Sequence, residues 1–205
     1  MPSNQPRSPQ LSASRAYLLL YNITSAILWL RILLIVVTSP SNPSVYTLVE
    51  PWTRWTQSLA VVDILHAAMG ITRAPIFTTS TQIFARTVQG WAINCGFPGV
   101  TAASPAYPAM LVAWSTADTV RYVYFVVLLV GVPVPSILKW LRSSLFIILY
   151  PIGIGSEWWL MYKATYVTTS PVVTGIFYFF LALYAPGIPM MYSHMLKQRR
   201  KTLSN

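Results

Sequence analysis

The chain has 205 residues, 55% hydrophobic and only 9% charged, with four acidic residues against 14 Lys and Arg and a net charge of +10. A charged share so far below the roughly 25% of soluble domains excludes an ordinary water-soluble globule. A single cysteine, Cys95, excludes an intramolecular disulfide framework or a cysteine-rich metal site, and Thr101 in place of an arginine six residues on excludes a cysteine-phosphatase loop.

In chain order, residues 1–16 are rich in Pro, Ser and Asn and read as a disordered N-terminus. No cleavable signal peptide is expected, because the first apolar run is longer than a typical h-region and lacks a cleavage site. Six apolar spans follow, predicting an all-α, polytopic bundle of six transmembrane helices within residues 17–195. The first covers 17–37 with Arg31 its only charge. Glu50 falls in a polar loop before the second span, 57–72, which contains Asp63 and His66. The third, 76–95, carries Arg86 and is rich in Thr, Ser and Gln. The fourth, 109–130, surrounds Asp118 and Arg121. The fifth, 143–162, has Glu157 as its only charge, and the sixth, 172–193, has none. The second and third are polar enough to require burial against neighbours. Pro and Gly at 39–43, 96–108, 131–135 and 168–171 mark turns between spans, and 196–205 is a basic tail. No internal repeat is evident.

The positive charge belongs to basic loops on one face of a membrane, with no nucleic-acid partner expected. With a cytosolic N-terminus, six spans put Arg7, Arg15, Arg73, Lys139, Arg142, Lys197, Arg199, Arg200 and Lys201 on the cytosolic side. Only Arg54 and Lys163 fall opposite, so both termini are expected in the cytosol. The tail is read as a topological and lipid-surface element.

Asp63, Asp118 and Glu157 each interrupt an apolar run, and an ionisable group at membrane depth is either functional or half of a buried pair. Tyr150 and Glu157 are seven residues apart, so on an unbroken helix they share a face about 10 Å apart. Pro151, Gly153 and Gly155 between them loosen that helix and shorten the separation. A carboxyl group can carry a proton, and a tyrosine hydroxyl can donate to a leaving oxygen, the combination an elimination needs. The competing interpretation makes Tyr150 an interfacial anchor and Glu157 an end-cap. Asp118 lies three before Arg121 and four before Tyr122, which favours an internal ion pair; Asp63, three before His66, reads as a satisfied buried pair. Arg86 and Arg121 are candidates to hold Glu157 or Asp63, or to bind substrate, with a structural role favoured.

The motif Tyr150-Pro151-x-Gly153-x-x-x-Glu157, after Leu141-Arg142 and an apolar run, resembles the signature of the very-long-chain (3R)-3-hydroxyacyl-CoA dehydratases, also named protein-tyrosine-phosphatase-like proteins. Tyr17-Leu18-x-x-Tyr21-Asn22, Leu65-His66-x-x-x-Gly70, Pro75 with Thr78-Thr79, Gln82 and Arg86, Trp114-Ser115 with Arg121-Tyr122, and Ala185-Pro186-Gly187 with His194-Met195 and Gln198-Arg199 extend the similarity along the chain. The resemblance implies a six-helix enzyme of the endoplasmic reticulum that dehydrates (3R)-3-hydroxyacyl-CoA to trans-2-enoyl-CoA in fatty acid elongation, with no cofactor. It implies Tyr150 and Glu157 as the catalytic pair, with acid and base interchangeable between them. Asp63, His66, Arg86, Asp118, Arg121 and Tyr122 are the expected supporting or substrate-binding residues. The expected partners are the long-chain substrate, membrane lipid and other enzymes of the elongation complex. Three positions depart from the family's pattern: Asp63 and Asp118 replace Glu, and Ser143 replaces Tyr. These departures leave open an inactive scaffold of the same fold; buried charge alone would also permit a small transporter, against which the halves lack matching interrupted helices.

Overall fold

A computed structural model describes residues 13–72 and 76–203, and all of its regular structure is helical. The expected disorder of residues 1–16 falls mainly on 1–12, outside the described residues, as does Arg73. Helix α1, Ala13–Thr38, already includes the last four residues of that range.

The first span is α1, and its exit differs from expectation. Ser39-Pro40 turns the chain, but Asn42-Pro43 begins a helix, α2, Asn42–Leu59. Ser41 caps it, accepting from the Ser44 N–H, and Pro43 sits in the first turn, where a missing donor costs nothing. Glu50 is therefore not in a loop: it is buried within α2 and paired with Arg54 at 3.4 Å, one turn on. The segment read as a second span from 57 joins the end of α2 to α3, Val61–Ala68, with a break at Ala60. Gly70, at φ 69°, terminates it in the left-handed conformation.

The third span is α4, Ile76–Val88, continued by a π-helical segment, Gln89–Cys95. Gln89 and Asn94 are buried there; Gln89 Nε2 donates to Asn94 Oδ1 at 3.2 Å, and the Tyr46 hydroxyl on α2 donates to the Asn94 carbonyl. The 96–108 stretch is not a plain turn, since it contains α5, Pro98–Ala103. Helix α6, Ala106–Val130, ends at Gly131 with φ 85°, the expected left-handed cap before Pro133. The fifth span is α7, Ser136–Ser144, and α8, Phe146–Thr165; α8 runs on through Pro151, Gly153 and Gly155. Helix α9, Pro171–Leu203, absorbs Pro186 and Pro189 and extends through residues expected to form the tail.

Helix α6 is the centre of the bundle, packed against α1 on one side and α8 on the other, and α9 lies against α8. The apolar core joins Trp29 and Ile32 of α1, Val49 of α2, Ile93 of the π-helical segment, Met110 and Leu111 of α6, and Leu160 of α8. Leu20, Ile27, Leu34, Ile148, Phe179 and Leu183 point outward, as lipid-facing residues do. Among the described residues, three segments are long and apolar enough to cross a membrane: Ala13–Thr38, Ser136–Thr165 and Pro171–Lys197. The chain is thus an all-helical protein with apolar helices suited to a membrane.

Candidate active site

Glu157 lies in the middle of α8 with its carboxylate buried against α6 and α9. Trp114 Nε1, from α6, donates to Glu157 Oε1 at 2.7 Å, and the Tyr184 hydroxyl, from α9, donates to Oε2 at 3.0 Å. Each oxygen therefore has its own fixed donor, an arrangement that sets the plane of the carboxylate. Gly153 lets α8 approach: a methyl group added there would meet Ala113 Cβ at 3.5 Å and Trp114 Cδ1 at 3.9 Å.

Tyr150 is two turns earlier on α8, about 20° from Glu157 around the helix at roughly 100° per residue. Its hydroxyl is within electrostatic range of Glu157 and makes no hydrogen bond among the described residues. Its ring borders a cleft of about 610 Å³ between α8 and α9, lined by Tyr150, Pro151, Ile154, Gly155, Trp158, Ile188 and Tyr192. Apart from the two tyrosine hydroxyls and the Trp158 ring nitrogen, the side chains lining this cleft are apolar.

The remaining polar residues form a second group on the other side of Trp114. The Arg86 guanidinium lies over the Trp114 ring, 4.2 Å from its centroid, and binds Asp118 at 2.6 Å. Asp118 also takes Arg121 at 3.2 Å, the internal pair its spacing suggested, and Arg121 reaches on to Asp63 at 3.2 Å. The result is an alternating chain, Arg86–Asp118–Arg121–Asp63, drawn from α4, α6 and α3, in which two carboxylates offset two guanidiniums.

One expected pairing is corrected: Arg86 binds Asp118 directly, and its guanidinium lies on the Trp114 ring, with no ion pair to Glu157 or Asp63 among the described residues. The expected Asp63–His66 pair is present at 3.9 Å, and Asp63 has nearer partners in Arg121 and the Tyr122 hydroxyl at 3.1 Å. His66 is buried and shares a 3.0 Å hydrogen bond with the Tyr17 hydroxyl of α1. Ser143 is spent locally, donating to the Trp140 carbonyl of its own helix. Trp114 as a donor and Tyr184 altogether were absent from the sequence-derived site. Tyr184 is one of three tyrosines in its span, with Tyr178 and Tyr192, so the sequence held no signal that singled it out.

The model of the family described as protein tyrosine phosphatase-like protein, PTPLA, matches residues 57–205. The chain belongs to this family. Its relatives match it over most of its length. A Schizosaccharomyces pombe protein named probable very-long-chain (3R)-3-hydroxyacyl-CoA dehydratase is 36% identical, over 90% of this chain and 91% of its own. Arabidopsis thaliana very-long-chain (3R)-3-hydroxyacyl-CoA dehydratase PASTICCINO 2 is 34% identical, over 93% and 94%. Human very-long-chain (3R)-3-hydroxyacyl-CoA dehydratase 2 is 31% identical, over 93% and 82%. No solved structure matches the chain. The phosphatase in the PTPLA family's description has no counterpart in this site: Cys95 lies in the π-helical segment, where Arg54 donates to its sulfur, remote in sequence from α8.

Proposed function

We propose that this chain dehydrates (3R)-3-hydroxyacyl-CoA to trans-2-enoyl-CoA within fatty acid elongation, the activity after which its relatives are named. The observation that carries this is on α8. A buried carboxylate fixed by two donors shares a helix face with a tyrosine hydroxyl that makes no hydrogen bond among the described residues and borders an apolar cleft. Glu157 accepts the C2 proton next to the thioester, and the electron pair left behind forms the C2–C3 double bond. The C3–O bond breaks, and the hydroxyl leaves as water with the proton of Tyr150. Return of the proton from Glu157 to the Tyr150 oxygen restores both groups. The reaction is redox-neutral and these two side chains supply its proton transfers, so the proposal includes no cofactor.

The chain Arg86–Asp118–Arg121–Asp63 with Tyr122 and His66 is assigned a positioning role. It anchors the indole that holds Glu157, through the Arg86 guanidinium stacked on Trp114.

The same proposal sets the protein in the endoplasmic-reticulum membrane, beside other elongation enzymes, with both termini cytosolic and six crossing segments: α1, α2–α3, α4 with the π-helical segment, α6, α8 and α9. Clustering of basic residues supports it. Arg15 donates to the Leu129 carbonyl at the end of α6, and Arg199 donates to Ser144 at the end of α7, so α1 and α9 bring basic residues to the end of the bundle where α6 gives way to α7. The CoA phosphates would meet that end. The test is turnover of a (3R)-3-hydroxyacyl-CoA by the purified protein in detergent, read as appearance of the enoyl thioester. A folded protein without turnover would make the inactive-scaffold alternative the correct one.

A further inference from the structure

The cleft between α8 and α9 has an uneven chemistry along its length. At one end stands Tyr150, whose hydroxyl is unpartnered and lies two helical turns from the Glu157 carboxylate. Beyond it the lining is Ile154, Gly155, Trp158 and Ile188. Around α8, Ile154 and Gly155 fall on the side of Tyr150 away from Glu157, so Tyr150 stands at the seam between the buried face and the cleft. Trp158 and Ile188 are 36% and 37% exposed, so the far end opens sideways, where the bilayer would be. Gly155 keeps the cleft wide: a methyl group added there has no heavy atom within 4 Å. Pro186 and Pro189 bracket Ile188 on α9 and leave two helical carbonyls without their usual donors, which weakens the straight packing of α9 on α8 at this level.

We infer that this cleft is the acyl-chain subsite of the site described above, open laterally so that the chain runs from Tyr150 along Ile154, Gly155 and Ile188 into the lipid. The inference rests on the dehydratase proposal for the identity of its occupant. A bilayer lipid would fill the apolar part equally well, but it would leave the Tyr150 hydroxyl at the other end unused. An acyl thioester with a polar C3 fits both ends at once. From Tyr150 to Trp158 the cleft follows α8 for about 12 Å at 1.5 Å per residue. Methylenes beyond that reach lie in lipid whether the substrate is bound or free, and lipid is as apolar as the protein surface. Binding therefore strengthens with chain length only until the cleft is filled, and then levels off. A lateral opening of this kind lets a membrane enzyme accept very long chains without enclosing them.

The experiment compares a long-chain and a short-chain (3R)-3-hydroxyacyl-CoA on the full chain in lipid nanodiscs. Gly155→Leu should raise the KM for the long substrate relative to the short one by about tenfold, the scale of added carbon in an apolar pocket. Gly155→Ala should give a smaller shift in the same direction. Ile176→Trp, on the lipid-facing side of α9 away from the cleft, should leave the ratio as it is. A long-chain substrate carrying a photoreactive group in mid-chain should label the α8 stretch 154–158 and the region of Ile188. An unchanged KM ratio in Gly155→Leu would overturn the subsite. So would label spread evenly over α1 and α9, the pattern of a cleft that merely holds lipid. If the unsubstituted protein turned over neither substrate, the dehydratase proposal would fail, and the labelling pattern alone would then decide whether the cleft takes the chain.

Discussion

Trp114 and Glu157, on α6 and α8, are joined by a 2.7 Å hydrogen bond that ties the centre of the bundle to the candidate catalytic carboxylate. Its indole also carries the Arg86 guanidinium on its face, so one side chain links the ion-pair chain to the site. Trp114→Phe removes the N–H donor and keeps a ring for Arg86. A hydrogen bond to a charged group is worth about 1.5–3 kcal/mol, so kcat should fall about 10- to 100-fold while the protein stays folded. Tyr184→Phe, which removes the donor to the other oxygen, should fall in the same range. Unchanged kcat in both variants would show that the carboxylate does not depend on these donors.

Glu157→Gln keeps shape and hydrogen bonding but cannot take up a proton, and Tyr150→Phe removes only a hydroxyl that no protein group uses. Proton transfer by a positioned side chain contributes about 10²- to 10⁴-fold. Each variant should lose turnover on that scale and elute from size exclusion like the parent. Turnover by Glu157→Gln at near-parental rates would remove Glu157 from the chemistry.

The sequence made some of this geometry visible and hid the rest. Apolar length identified α1, α6, α8 and α9, because lipid demands long uninterrupted stretches. Helix α2 was missed: Pro43 and Pro51, with Glu50, Arg54 and three Thr between Tyr46 and Gln57, have the composition of a loop. Its polar residues Glu50, Thr53, Thr56 and Gln57 are buried only by packing against neighbouring helices, chiefly α1, α5 and the π-helical segment. The Asp118–Arg121 pair was legible as a three-residue spacing on one helix. The Arg86–Asp118 and Trp114–Glu157 contacts join different helices, and no periodicity within one segment records which face meets which.

Asp118 sits between two guanidiniums and is almost fully buried. Asp118→Asn removes the carboxylate that Arg86 and Arg121 share and leaves Arg121 with Asp63, and removing one partner of a buried pair costs about 3–5 kcal/mol. The expected outcome is a lower thermal midpoint in detergent, with activity falling in parallel with the folded fraction. A strong loss of kcat at an unchanged midpoint would give Asp118 a direct part in the reaction instead.

The proposed topology of six crossings with both ends cytosolic would make tags at either terminus accessible to protease added outside sealed microsomes. A glycosylation acceptor introduced into the α8–α9 connection, residues 166–170, should be modified, since the proposal puts that connection on the luminal side. Protection of one terminus alone would mean an odd number of crossings, and α4 with its π-helical segment would be the first to reassign.

Gly153 faces Ala113 and Trp114 across the α6–α8 contact, and these neighbours set how much side chain fits. A single methyl group meets Ala113 Cβ at 3.5 Å, ordinary van der Waals contact, so Gly153→Ala should keep most of its activity and gain helix propensity. A leucine must send carbon atoms beyond that methyl into Ala113 and the edge of the indole. Overpacking of this kind costs about 1–3 kcal/mol, and the cheapest relief is to push Trp114 off Glu157. Gly153→Leu should therefore lose kcat about as far as Trp114→Phe does. Combining the two should cost little more than either, because both break the same hydrogen bond. Full additivity in the double variant, or equal loss in Gly153→Ala, would show that Gly153 acts on something other than the Trp114–Glu157 contact.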